Sequence, residues 1–257
     1  MIKILLCCLN EAQNLQTLLP RICDEMRLLN IDFEMMICLD GSSDNSREVI
    51  SSFQKSHKVP ITIIPEINQR GLGLAFKRLF IEAIKDSCDS DLLISLDADS
   101  THDPKQMPEM ISRFKANSLD FLVASRFCKN SAVYGFPLYR RIISKAISIV
   151  MQTIFPITKI SGSKLKDYTS CYRIYSAKKM KELYRKEQNQ FLTESGFCYS
   201  IEIAVKLSRI KARIDEIGIL YDYGKKIGAS KLPLLKDFWR LLVTVKKLKT
   251  SKIFFPF

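Results

Sequence analysis

Short apolar runs separated by helical patterns organise the first half of the chain. Residues 2–9 read as a buried strand, followed by helical spacing from Glu11 to about Leu29. Residues 33–39 predict a second strand, and Asp44 with Ser46 opens the next helix. A β-branched third strand over 59–64 precedes a helix over 71–84. The fourth strand spans 92–96, Asp103-Pro104 starts another helix, and 121–124 form a fifth strand. Strands this apolar, alternating with helices, imply an α/β fold with a parallel sheet covered on both faces. The loops after the strands then converge on one edge. They carry Asn10-Glu11, Asp40-Gly41-Ser42-Ser43-Asp44 and Asp97-Ala98-Asp99.

Open α/β sheets bind ligands at that edge. Asp97 and Asp99 end a buried strand one residue apart, and carboxylates so close repel unless a cation or a set of donors lies between them. Hard oxygen ligands suit Mg²⁺ or Mn²⁺ bound to a diphosphate; a helix cap or a solvated turn is the other reading of the pair. Asn10 and Glu11 offer donors and acceptors to a nucleotide base, although Glu11 also suits a helix N-terminus. Asp40 is placed to accept from a base or ribose hydroxyl. Gly71-Leu72-Gly73 opens a helix and reads equally as a phosphate cradle or a simple turn.

Cys8-Leu9-Asn10-Glu11-Ala12-Gln13-Asn14-Leu15, Leu39-Asp40-Gly41-Ser42-Ser43-Asp44 and Leu96-Asp97-Ala98-Asp99-Ser100-Thr101-His102-Asp103-Pro104 carry a family resemblance. They resemble the inverting nucleotide-sugar glycosyltransferases of the GT-A fold, and within them the dolichyl or polyprenyl-phosphate mannose synthase branch. Ser125-Arg126-Phe127, Asp167-Tyr168-Thr169-Ser170-Cys171-Tyr172-Arg173 and Gly228-Ala229-Ser230-Lys231-Leu232 follow in the family's order, so the resemblance reaches about Lys231. It implies a Rossmann-like, mostly parallel sheet with helices on both faces. It also implies nucleotide-sugar binding by Leu9, Asn10, Glu11, Asp40, Asp97 and Ala98, and a Mg²⁺ or Mn²⁺ ion on Asp97 and Asp99. Asp99, Arg126 and Lys225 would act at the reacting centre, and Arg140, Ser144 and Arg173 on an acceptor phosphate. The chain departs from the pattern in three places. Leu39 stands where the family has a second acid, and Thr101 where it often has Gln. Lys225 replaces an arginine, keeping the charge but losing the planar fork that grips a diphosphate.

Length and charge refine this picture. The 257 residues suffice for one domain with one sizeable core. No Gly/Ser/Pro-rich linker or internal repeat divides them. The eight cysteines lack metal spacing and suggest reduced thiols in a cytoplasmic compartment. The first strand begins without the pattern of a secretory leader. Residues 1–130 carry 15 Lys and Arg against 18 Asp and Glu, a net of −3, and form the expected nucleotide-sugar-binding half. Residues 131–257 carry 25 against 9, a net of +16, and form a basic acceptor-binding half. That asymmetry suits an anionic membrane surface or a lipid phosphate. No nucleic-acid-binding signature accompanies it, so nucleic acid is not an expected partner.

Two amphipathic segments, 142–157 and 234–248, are too short and polar to span a bilayer. They suit either packing on the sheet or lying in a membrane interface. In the first, Arg141, Ser144, Lys145, Ser148 and Gln152 oppose Ile142, Ile143, Ala146, Ile147, Ile149, Val150 and Ile154. In the second, Leu235, Phe238, Trp239, Leu242 and Val245 accompany Lys236, Arg240, Lys246, Lys247 and Lys249. The expected activity is metal-dependent, inverting transfer of a sugar from a nucleotide diphosphate to a polyprenyl phosphate. The expected place is peripheral, on the cytoplasmic face of a membrane. A rival of the same fold would use a glycan or lipopolysaccharide hydroxyl, with Asp167 or Glu202 as base. A non-catalytic sugar-nucleotide or membrane-binding module is the rival of a different class.

Overall fold

Four strands rich in Ile, Leu, Val and Met hold the front half together: β1 (Ile2–Cys8), β2 (Phe33–Leu39), β3 (Ile61–Ile64) and β4 (Leu92–Asp97). The computed structural model describes residues 1–65, 71–227 and 234–250, without the side chains of 234–239. Strands apolar on both sides need helices on both faces. On one face lie α1 (Ala12–Leu28), α2 (Ser46–His57) and α4 (Met107–Ala116); on the other lies α3 (Leu72–Lys85). The helices deliver Leu15, Leu18, Leu19, Ile22 and Phe114 to one core, and Phe76, Leu79 and Phe80 to the other.

The back half adds β5 (Phe121–Ser125), β6 (Ala132–Tyr134), α5 (Leu138–Ile154), β7 (Arg173–Ser176), α6 (Ala177–Glu187), α7 (Tyr199–Arg209), β8 (Ile214–Gly218), β9 (Leu220–Asp222) and α8 (Leu234–Thr250). The sheet has seven strands in the order β3-β2-β1-β4-β7-β5-β8. All pairings are parallel except those of β7, which runs antiparallel between β4 and β5. The sheet is mostly parallel as expected; the exception is β7, short and late in the chain, which is inserted between β4 and β5. The strand order reverses between β1 and β4, where open α/β sheets leave a crevice for ligands.

A two-stranded ribbon of β6 and β9 stands beside this edge. Its Tyr221 bridges His102, and Asp222 N–H donates to the Thr101 carbonyl at 3.4 Å. The turn that follows, Tyr223–Lys225, is thereby held against the loop after β4. No helix among the described residues is long and apolar enough to cross a membrane.

Candidate active site

The loops after β1, β2 and β4 meet as the pattern of strands required. Asn10 adopts a left-handed conformation (φ 53°), which Asn tolerates better than most residues. Its Oδ1 accepts from Ser43 N–H at 2.7 Å, and its own N–H donates to Ser42 Oγ at 3.0 Å. Asp44 accepts from Ala12 N–H and, across an Asx turn, from Ser46 N–H. These bonds fasten the loop carrying Leu9, Asn10 and Glu11 to the loop carrying Asp40. Glu11 is buried and accepts from Asn14 Nδ2 at 2.6 Å. Leu9 is half-buried, and Ala98 lies inside the loop.

Asp40 is buried, and Gly71 N–H donates to its two oxygens at 3.0 and 2.9 Å. Gly73 N–H donates to the Ser195 carbonyl at 2.9 Å. The N–H groups of both glycines at the start of α3 thus have protein acceptors, which decides for the turn over the phosphate cradle. Glycine is required here: at Gly73 a Cβ would lie 2.0 Å from the Glu194 carbonyl oxygen.

Asp97 and Asp99 stand at the crevice with side chains 30% and 13% exposed. Asp99 Oδ1 accepts from Thr101 N–H and Oγ at 3.2 and 2.6 Å. Its Oδ2 lies 2.5 Å from Lys226 Nζ. Burial pushes the Asp99 carboxyl up, but the Lys226 charge and hydrogen bond, with the Thr101 hydroxyl bond, hold it below the ordinary value. Asp97 is drawn down less, by the more distant charges of Lys226 and Arg126 and a bond to Cys171. Burial, then the Asp99 charge, raise it to about 7. Buried His102 accepts from Asp97 N–H through Nδ1 at 3.1 Å, and burial lowers it to about 4, so the ring is neutral. No group of three His, Cys, Asp or Glu among the described residues could cage a metal. Two hard carboxylates at an open edge still fit Mg²⁺ or Mn²⁺, which are commonly held by one or two carboxylates plus phosphate and water.

Three expected roles need correction. Lys225 is exposed and pairs with Asp103 at 3.1 Å, whose other oxygen meets Arg21. The lysine on the acid pair is the next residue, Lys226. Arg126 is not poised at a reacting centre. Its Nε and Nη2 grip Asp167 at 2.9 Å each, and Nη2 also donates to Thr169 Oγ1. Its charge reaches Asp97, which it helps to lower, so it supports the acid pair from behind. Arg173 does not reach an acceptor phosphate: it is wholly buried on β7 and donates to the carbonyls of Ser200 and Tyr168 at 2.6 and 2.9 Å. Residue type placed it at a site; a strand position inside the sheet overrides that.

Asp167 and Glu202 are equally committed. Asp167 is fully buried in the Arg126 fork; burial raises its carboxyl, and Arg126 with backbone donors brings it down to about 2. Glu202 accepts from the N–H groups of Thr193 and Glu194 at 3.0 Å and pairs with Lys206 at 2.8 Å. Arg140 and Ser144 are half-buried, one turn apart on α5, and Arg140 Nε donates to Tyr139 Oη at 3.2 Å. Gly228-Ala229-Ser230-Lys231-Leu232 lies outside the described residues. Thr101, His102 and Lys226 were missed as members of the site. Thr101 and His102 lie in the motif around the acid pair, Thr101 at the position where the family often has Gln, and Lys226 was signalled only by adjacency to Lys225.

Residues 3–184 match the family model described as glycosyl transferase family 2. A dolichol-phosphate mannosyltransferase from Pyrococcus furiosus is 33% identical over 147 residues, covering 57% of this chain but 39% of the relative, so the match spans well under half of that protein. An undecaprenyl-phosphate mannosyltransferase from Micrococcus luteus is 22% identical over 223 residues, covering 87% of this chain and 84% of the relative. Among solved structures, glucosyl-3-phosphoglycerate synthase from Mycobacterium tuberculosis in complex with Mg²⁺ and UDP superposes with a TM-score of 0.61 at 13% identity, covering 96% of this chain and 79% of that one. S. aureus TarS gives 0.56 at 13% identity, covering 96% and 64%. These likenesses show the GT-A, Rossmann-like fold.

Proposed function

The chain belongs to glycosyl transferase family 2, and from that premise we propose that it transfers a sugar, with inversion, from a nucleotide diphosphate to a polyprenyl phosphate on the cytoplasmic face of a membrane. The carrying observation is the orientation of α5. A helix packed on a sheet buries its apolar side. Here Ser148 and Met151 are buried, while Ile142, Ile143, Ile149 and Val150 are 58%, 41%, 55% and 46% exposed. Arg141 and Lys145 flank that apolar face, and Arg140 and Ser144 lie on the half-buried side. An apolar stripe edged by cations suits an interface with anionic lipid. It would bring a lipid-borne phosphate to Arg140 and Ser144.

The carboxylates support the same acceptor. A hydroxyl needs a base to remove its proton as it attacks. Asp167 and Glu202 have their oxygens in ion pairs and backbone bonds, so neither is available for that task. A phosphate monoester is already an anion at neutral pH and needs positioning and charge neutralisation instead. The named activities of the Pyrococcus and Micrococcus relatives agree with such an acceptor.

Asp97 and Asp99 would hold Mg²⁺ or Mn²⁺, which when bound supplies charge neutralisation for the departing nucleotide diphosphate. Asn10, Glu11 and Asp40 would orient the nucleoside, with Leu9 and Ala98 lining it. Arg140 would meet the acceptor phosphate through a charge-assisted bond, and Ser144 through its hydroxyl.

Incubation with radiolabelled nucleotide mannose or glucose, undecaprenyl phosphate and Mn²⁺ should move label into the organic phase. Asp99→Ala should abolish transfer. Arg140→Ala should raise the acceptor requirement by about tenfold to a hundredfold, the loss of a charged hydrogen bond of about 1.5–3 kcal/mol, with donor affinity little changed. Label transferred only to a water-soluble glycan, together with a silent Arg140→Ala, would overturn the reading.

A further inference from the structure

Lys226 stands where the acid pair requires a cation. Its ammonium lies 2.5 Å from Asp99 Oδ2, with the two side chains 14% and 13% exposed. The other Asp99 oxygen is taken by Thr101. Lys225 does not share the position, because Asp103 holds it. Two consecutive lysines therefore divide between two aspartates, and only Lys226 is on the pair at the crevice.

A divalent ion on Asp99 competes with that ammonium, since two cations on one carboxylate oxygen repel each other strongly. Asp97 and Asp99 alone are also a sparse donor set, with phosphate oxygens left to complete it. Both facts disfavour metal binding to the nucleotide-free protein. A nucleoside diphosphate changes the balance: it brings oxygen donors for the metal and negative charge to receive the displaced ammonium, which a flexible four-carbon stem can follow.

We infer that Lys226 is a resident counter-cation that alternates between two anions. It neutralises Asp99 when no metal is bound and moves to the diphosphate once Asp99 takes the metal. Metal and nucleotide thereby become mutually dependent ligands, each raising the other's affinity. The inference rests on the donor chemistry given under Proposed function, but its metal half is testable without any nucleotide.

The experiment measures Mn²⁺ alone binding to nucleotide-free protein, from the free-Mn²⁺ electron paramagnetic resonance signal. It also measures GDP and UDP binding in saturating Mg²⁺ by calorimetry. Lys226→Met should bind Mn²⁺ alone at least about threefold more tightly than wild type, because a competitor is gone. It should bind the diphosphate that wild type prefers at least about tenfold more weakly, a charge-assisted contact being lost. Lys226→Arg should keep most of the diphosphate affinity, which a merely structural role in the loop would not favour. Lys226→Gln serves as the second neutral variant if Lys226→Met does not fold. Unchanged or weaker binding of Mn²⁺ alone in a folded neutral variant would overturn the exchange. Wild type binding neither GDP nor UDP would instead sink the donor reading, with the Mn²⁺ comparison still deciding whether Lys226 competes for Asp99.

Discussion

Asp167 holds a charge where no water reaches it. Arg126 N–H and Nε meet one oxygen at 3.0 and 2.9 Å, Nη2 meets the other at 2.9 Å, and the N–H groups of Thr169 and Ser170 add two bonds at 3.0 Å. The guanidinium also lies 5.5 Å from the Phe127 ring centre. The carboxyl is depressed to about 2 in the folded protein, against about 3.9 when unfolded. Its stabilisation is therefore fully present above about pH 4 and is lost as pH falls through about 2. Asp167→Asn leaves Arg126 buried and unpaired, which costs about 3–5 kcal/mol at neutral pH. Urea unfolding should show that gap at pH 7 and a smaller one at pH 3, because the unfolded wild-type chain then binds a proton that the native carboxylate does not. A gap of equal size at both values would show that the pair is not ionised in the native protein. That Asp167 is structural could not be read from the sequence, where a carboxylate in a family motif looks the same whether it faces solvent or an arginine.

Helix α5 shows the same ambiguity one level up. Its periodicity was legible and correctly implied an amphipathic helix over most of its length, though the helix begins earlier, at Leu138, and ends at Ile154. Which side faces the protein was not legible, because a moment has a direction only relative to neighbours. Ser144, Ser148 and Gln152 turn inward while Arg141 and Lys145 stay out with the isoleucines, so the expected polar face is split. In α8 the phase also differs from expectation: Leu241, Thr244 and Leu248 are buried and Leu242 is 47% exposed. Leu235, Phe238 and Trp239 lie outside the described side chains. If the outer face of α5 enters lipid, Ile142→Glu with Ile149→Glu should abolish co-sedimentation with phosphatidylglycerol vesicles. Each isoleucine contributes roughly 2 kcal/mol of apolar burial. Thermal stability should hold or rise, since these side chains cover no core. A drop in melting temperature with unchanged vesicle binding would show that the face packs on protein.

Over the whole molecule, charge is divided as the fold is divided. The half from residue 131 onward carries the net +16, and its cations are not equivalent. Lys159, Lys206 and Lys247 are tied to Glu216, Glu202 and Glu194, at 3.0, 2.8 and 3.0 Å. Lys246 and Lys249 are exposed on α8. Lys246→Glu with Lys249→Glu should therefore weaken binding to anionic vesicles without changing nucleotide affinity, whereas Lys247→Glu would place two acids together and destabilise the loop at Glu194. Raising salt from about 0.05 M to about 0.5 M should release part of the bound protein and leave a salt-resistant remainder, because screening shortens the reach of charge but not of apolar insertion. Complete release by salt would mean that α5 does not insert.

The local pattern determined what depends on neighbours along the chain. Apolar runs made the first strands buried, their alternation with helices made the sheet mostly parallel, and parallel strands send their following loops to one edge. Asn10, Asp40, Asp97 and Asp99 were therefore brought together by connectivity alone. Contacts distant in sequence decided the rest. The antiparallel insertion of β7 put Arg173 inside the sheet, the β6–β9 ribbon carried Lys226 rather than Lys225 onto Asp99, and the fork of Arg126 withdrew Asp167 from chemistry. Each of those outcomes is set by which of several equally polar groups finds a buried partner of opposite charge. In a chain with 40 cations and 27 acids, that choice belongs to the packed structure.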